Sequence, residues 1–203
     1  MGIFFRYRIR YLKNLQEYSE YNRRYVNNGG DQSIDISWMR SSKVIGVFAG
    51  NDLVAGFVES SPPTRSVADI PDQIRHQLLE SECQSLANVQ ENAAFWISRS
   101  VQGKRSLQAF VWAAIVFRSV FCTRCKYTLG ASNRLSITKL YQFFCGNTIY
   151  EAPSKLNPGE RYHVFIWSKT QLLTVGFQIV RRLLERSTSK ATETNATTEL
   201  PSV

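Results

Sequence analysis

Between Asn92 and Ser106 the chain reads NAAFWISRSVQGKRS, an apolar run of strand type that ends in a basic turn with one glycine, directly before a helix. A turn in this position leaves its own N–H groups and those of the first helical turn without partners, and they point at whatever anion sits there. Leu107, Phe110, Val111, Ala114 and Ile115 follow at i, i+3, i+4, i+7 and i+8, the spacing of a helix with one buried face. The turn is therefore expected at a helix N-terminus. Lys104 and Arg105 stand where the helix dipole disfavours cations unless an anion is present. Gln102, Gly103, Lys104, Arg105 and Ser106 together are expected to hold a phosphate-bearing ligand.

A second pattern, Cys122-x-x-Cys125, has the spacing of half a zinc site, but a whole site wants a second pair or two well-spaced histidines. His76 and His163 are far apart, so the four cysteines are expected to be reduced and no metal is expected. Twenty-five Lys and Arg against sixteen Asp and Glu give +9, a balance that suits a nucleotide cofactor, nucleic acid or an anionic membrane. The basic residues are dispersed without a helix-turn-helix pattern, so nucleic acid ranks last. The longest apolar run, Ala109 to Phe117, falls short of the roughly 20 residues that cross a bilayer. The opening MGIFFRYRIRYLK lacks an apolar signal core, and the chain reads as cytoplasmic.

The elements that must position the turn follow from periodicity. Arg6 to Tyr11 alternates as a half-buried strand, and Leu12 to Val26 reads as a helix stopped by Asn27-Asn28-Gly29-Gly30. Lys43 to Ala49 and Leu53 to Ser60 form a hairpin around Gly50-Asn51-Asp52, broken at Ser61-Pro62-Pro63. A polar helix over Asp72 to Leu86 precedes the strand at Ala94 to Ser100 and the helix at Lys104 to Phe121. Then come a strand at Lys126 to Ala131, a helix at Leu135 to Phe144, strands at Thr148 to Glu151 and Tyr162 to Trp167, and a helix at Lys169 to Arg186. This last helix carries an apolar stripe suited to the sheet, a membrane or a second copy of the chain. Residues 187–203 lack the apolar content to fold. The class is α/β (α+β): one domain over 1–186, with a mixed, mostly antiparallel sheet flanked by helices.

This order of elements over residues 1 to 167 resembles the GNAT superfamily of N-acyltransferases. The resemblance maps the family's central strand onto Phe95–Val101, its pyrophosphate loop onto Gln102–Ser106 and its following helix onto Leu107–Phe121. It implies acetyl-CoA or a longer acyl-CoA as donor, with pantetheine along the backbone of Ile97, Arg99 and Val101 and the pyrophosphate on the loop. The loop departs from the family pattern by keeping a single glycine, Gly103, with Arg105 and Leu107 at other glycine-like positions. Asn133 and Leu140-Tyr141 before Gly146 are similar to the family's Asn, Leu-Tyr, Gly-Phe signature. Asn133 is accordingly assigned to the cofactor site and Tyr141 to protonating the departing thiolate. For the base that accepts the amine proton, Glu59 at the end of the hairpin and His76 in the intervening helix are the candidates.

The segment Trp96-Ile97-Ser98-Arg99-Ser100-Val101 also resembles the Trp-Glu-x-Ser-Arg-x-x-Val stretch of acyl-homoserine-lactone synthases and N-acyl amino acid synthases. That branch implies an acyl carrier protein or acyl-CoA as donor, and a basic face suits an acidic carrier. The acidic residue of that stretch is absent, since Ile97 stands in its place. The sequence thus points to transfer of an acyl group to a small-molecule or peptide amine. The alternative is a binding protein on a degenerate acyltransferase scaffold.

Overall fold

A computed structural model describes residues 7–30, 32–83, 85–101, 104–144, 146–155 and 159–178. Gln102, Gly103, Cys145 and the stretch assigned to the last helix beyond residue 178 lie outside them, as do Arg6 and the tail over 187–203. The elements run β1 (Tyr7–Tyr11), α1 (Leu15–Asn27), α2 (Ile36–Ser41), β2 (Lys43–Ala49), β3 (Asp52–Ser60), α3 (Asp72–Cys83), β4 (Val89–Ile97), α4 (Arg105–Phe121), β5 (Tyr127–Ser132), α5 (Leu135–Phe143), β6 (Asn147–Pro153) and β7 (Arg161–Ser168). A sixth helix, α6, covers residues 169–178. The strands form one sheet in the order β1-β2-β3-β4-β5-β7-β6, antiparallel except where β4 and β5 run parallel. The expected class and element order hold, with α2 added.

Two faces of the sheet carry separate cores. Tyr18, Tyr21 and Tyr25 of α1 and Met39 of α2 pack with Val44, Phe48, Val58 and Trp96 on one face. On the other, Leu107, Val111 and Ile115 of α4 cover Ile45, Val47, Ala55 and Phe57, and Leu172 and Val175 of α6 pack with Val116, Val120 and Trp167. Of the described part of the last helix's stripe, Leu172 and Val175 are packed within the chain and Leu173 and Phe177 are exposed.

β4 starts five residues earlier than its apolar run suggests and ends sooner. Val89 to Glu91 pair with Tyr127 to Leu129, whereas the polar types of Gln90, Glu91 and Asn92 read as a connection. At the other end the strand stops at Ile97, and Arg99–Val101 is a turn of 3-10 helix. The assignment of Arg99 and Val101 to strand backbone is corrected accordingly. The Val101 N–H bonds back to the Ser98 carbonyl at 3.0 Å, the local i to i+3 closure that ends extended structure.

Candidate functional site in the splay between the central strands

β4 and β5 share three residue pairs, Val89↔Tyr127, Gln90↔Thr128 and Glu91↔Leu129, and beyond these they part. From Asn92 onward β4 pairs with β3 alone, and from Gly130 β5 pairs with β7 alone. An extra residue in β4 helps the divergence: the register steps from Val58↔Ala93 to Gly56↔Trp96, and Ala94 takes φ 52° within the bulge. The Tyr21 hydroxyl donates to the Ala94 carbonyl at 2.7 Å and fixes this left-handed residue. Strain of that kind in a non-glycine residue is held by its surroundings and collects at functional sites.

The wedge between the strands is lined by aromatic side chains. Phe95 of β4 lies 4.9 Å from Trp112 of α4, and Trp112 meets Tyr141 and Phe144 of the α5 region edge-on at 6.2 and 5.6 Å. Tyr141 rests on Gly130, where an added Cβ would come within 3.2 Å of the phenol ring, and stands edge-on to Trp167 at 5.0 Å. Burial pushes the Tyr141 phenol up to about 12. It therefore holds its proton at neutral pH and is a donor there. The cavity among these groups is about 30 Å³, space for about one or two waters. Its lining is mostly apolar, but Asn92 contributes to it, and the buried Asn92 Oδ1 has no hydrogen bond.

Both helices that begin at the open end lack side-chain caps. α4 follows β4 and starts from Lys104; α5 follows β5 and starts from Arg134; neither N-cap makes a side-chain cap hydrogen bond. Lys104 is exposed, Arg105 and Ser106 form the first positions of α4, and Asn133 sits half-buried in the turn between β5 and α5. The loop after α1 closes one side of this mouth. Asn28 Oδ1 accepts the Arg99 N–H at 2.8 Å, and the Arg134 guanidinium lies beside Gly29. The topology thus places Ile97, Lys104, Ser106, Asn133 and Tyr141 at one end of the sheet, and of these Tyr141 lines the wedge.

Glu59 has another environment. Its two oxygens accept from Arg118 of α4 at 2.7 and 2.9 Å, and Arg118 also donates to the Tyr11 hydroxyl at 2.7 Å. Burial opposes the charge of Arg118, but the Glu59 hydrogen bonds outweigh it and hold the guanidinium above its ordinary range. Arg65 is not its partner. Sequence reasoning missed Arg118, although its spacing from Val111 and Ile115 puts it on the sheet-facing side of the helix. His76 is exposed on α3 and does not line the wedge.

Two further polar groups went unforeseen. Glu91 is fully buried, and its carboxylate accepts from the backbone N–H groups of Thr64, Arg65 and Ser66 at 2.9, 3.1 and 2.6 Å. Gln90 and Asn92 both donate to the Ser119 hydroxyl of α4, at 3.2 and 2.9 Å. Among the described residues no group of three or more His, Cys, Asp or Glu is placed to hold a metal ion, and no helix is long and apolar enough to cross a membrane.

No protein-family model and no curated protein match the sequence. Solved structures match the fold. FeeM, an N-acyl amino acid synthase from uncultured soil microbes, is 14% identical with a TM-score of 0.62, covering 82% of this chain and 92% of its own. The AHL synthase LasI is 9% identical with a TM-score of 0.57, over 80% of this chain and 89% of its own. An acetyltransferase of Bacillus subtilis, solved in complex with CoA, is 11% identical with a TM-score of 0.53, over 80% and 98%. At these identities the likeness establishes the fold: the chain has the GNAT acyltransferase fold.

Proposed function

We propose that the chain is an N-acyltransferase that takes its acyl group from a coenzyme A thioester held in the splay and delivers it to an amine. The observation that carries this reading is the pair of helices opening on the wedge, α4 and α5, each starting from a cation with no side-chain cap. Two such N-termini, with no side-chain cap on their first turns and with the charge of Lys104 at the start of α4, suit the phosphates of the donor. The exposed backbone of β4 past Asn92 suits its amide-bearing arm, and Gln102 and Gly103 belong to the same loop by sequence. The aromatic wedge suits the acyl group. With so little open space between the rings, entry of a donor requires Phe95, Trp112 or Phe144 to change rotamer.

In this reading the bound thioester supplies the acyl carbon, and the amine nitrogen attacks it as the carbon–sulfur bond breaks. Tyr141 gives its phenolic proton to the departing sulfur. Glu59 is paired with Arg118, and in this reading it anchors α4 and leaves the proton of the amine to another acceptor. A carrier-protein thioester is a second donor of the same chemistry, and the chain's net charge of +9 suits an acidic carrier.

One observation favours a different reading, a binding protein without turnover. Among the described residues, those lining the wedge include no carboxylate and no histidine, so in this arrangement the proton of the amine leaves through water or through a group on the acceptor. Calorimetric titration with acetyl-CoA and longer acyl-CoAs tests the site common to both readings. Binding that is abolished in Gly103→Asp is the expected result. No binding of any acyl-CoA, or binding unchanged in that variant, overturns it.

A further inference from the structure

At the end of the sheet away from the splay, α4 finishes in Phe117 and Phe121, whose rings lie 5.2 Å apart and are 57% and 64% exposed. The other sides of α4 are occupied. Leu107, Val111 and Ile115 lie on the sheet, Val116 and Val120 lie against α6, and Arg118 reaches Glu59 and Tyr11. The two phenylalanines project beyond this packing into water, beside a Tyr11 that is itself exposed.

The topology gathers cations at the same end. β1 finishes at Tyr11, two residues before Lys13; β2 starts at Lys43, opposite Glu59. The connection from α4 to β5 carries Arg124 and Lys126, and the Lys126 N–H bonds the Asn88 carbonyl just before β4. None of Lys13, Lys43, Arg124 and Lys126 makes an ion pair with a described residue. Of the carboxylates beside these strand ends, Glu59 is paired with Arg118 and Glu17 with Arg10.

We propose that this end of the molecule docks on an anionic lipid surface. Phe117 and Phe121 seat at the boundary of headgroups and acyl chains, and the four cations lie over the headgroups. Rings that protrude from a helix end fit a fluid interface, whereas a folded protein partner is gripped by anchors that fill a pocket. Lysine stems likewise deliver charge without a fixed geometry, which suits mobile headgroups. Docking in this way leaves the open end of the splay turned to water. The inference is independent of what the splay binds.

The test is co-sedimentation of the full chain with vesicles of phosphatidylcholine alone and of phosphatidylcholine with phosphatidylglycerol. The expected result is binding to the anionic vesicles only, weakened by salt, and weakened about tenfold or more in Phe117→Ser/Phe121→Ser. Arg124→Glu/Lys126→Glu should weaken it as well, with circular dichroism showing both variants folded. In Phe121→Trp the added indole should shift to the blue on anionic vesicles relative to the parent chain. No binding to anionic vesicles at low salt overturns the proposal, as does binding unchanged in the double serine variant. Capture of an acidic protein through Phe117 and Phe121 without vesicle binding overturns it in favour of a protein partner.

Discussion

Where β4 and β5 are hydrogen-bonded, Glu91 is met by three backbone N–H groups, Glu59 by both arms of Arg118, and Gln90 and Asn92 by Ser119. Where the strands part, α4 and α5 start from Lys104 and Arg134 without a side-chain cap, although α1 and α2 start from Asn14 and Asp35, which both cap. Apart from the Asn92 Oδ1 that faces the wedge, the closed end is a hydrogen-bonded polar network, which specifies one arrangement of strands and helix. At the open end, neither helix N-terminus is closed by a capping side chain, Lys104 is exposed, and the space between is filled by aromatic rings. Substitutions at the closed end should therefore cost stability, and those at the open end should cost ligand binding or turnover.

The largest effect is expected from Arg118→Met, which leaves the Glu59 carboxylate buried without a partner and should cost about 3–5 kcal/mol in denaturant unfolding. Adding Glu59→Met should return most of that loss. If the single variant unfolds like the parent chain, the closed end is not held as described. Glu91→Gln follows, at about 3 kcal/mol, because an amide turned toward Thr64 and Arg65 presents N–H to the Ser66 N–H. Tyr141→Phe should lower thiol release by about 100-fold or more while changing stability by less than about 1 kcal/mol. The same variant has a signature in alkali. The folded phenol titrates near 12, above its unfolded value, so its contribution is present below pH 10 and is lost as pH rises toward about 12. Melting curves between these limits should fall less steeply in Tyr141→Phe. The smallest effect sharpens the contrast most. Lys104→Asp supplies the missing cap, and should raise stability by about 1 kcal/mol while weakening acyl-CoA binding.

The parts of the fold legible in the sequence were those with local signals. The hairpin around Gly50, the stop at Asn28–Gly29 and the uncapped basic start of α4 were all read from neighbouring residues. What escaped depends on partners distant in the chain. Gln90, Glu91 and Asn92 look like a connection because their hydrogen bonds come from residues 64–66 and from Ser119, which no local pattern joins to them. Helix α2 is six residues long, too short for a periodic stripe, though Asp35 was a readable cap. For the site, Tyr141 and the turn before α4 came from order and resemblance. The pairing of Glu59 with Arg118 required the register of α4 on the sheet.

Release of thiol from acetyl-CoA and longer acyl-CoAs in the presence of a panel of amines, with the N-acyl product identified by mass, tests the central claim most directly. The account predicts thiol and product in equal amounts with at least one amine, lost in Gly103→Asp and strongly reduced in Tyr141→Phe. Binding of acyl-CoA without thiol release across the panel would contradict it and assign the splay to a protein that holds the thioester without using it.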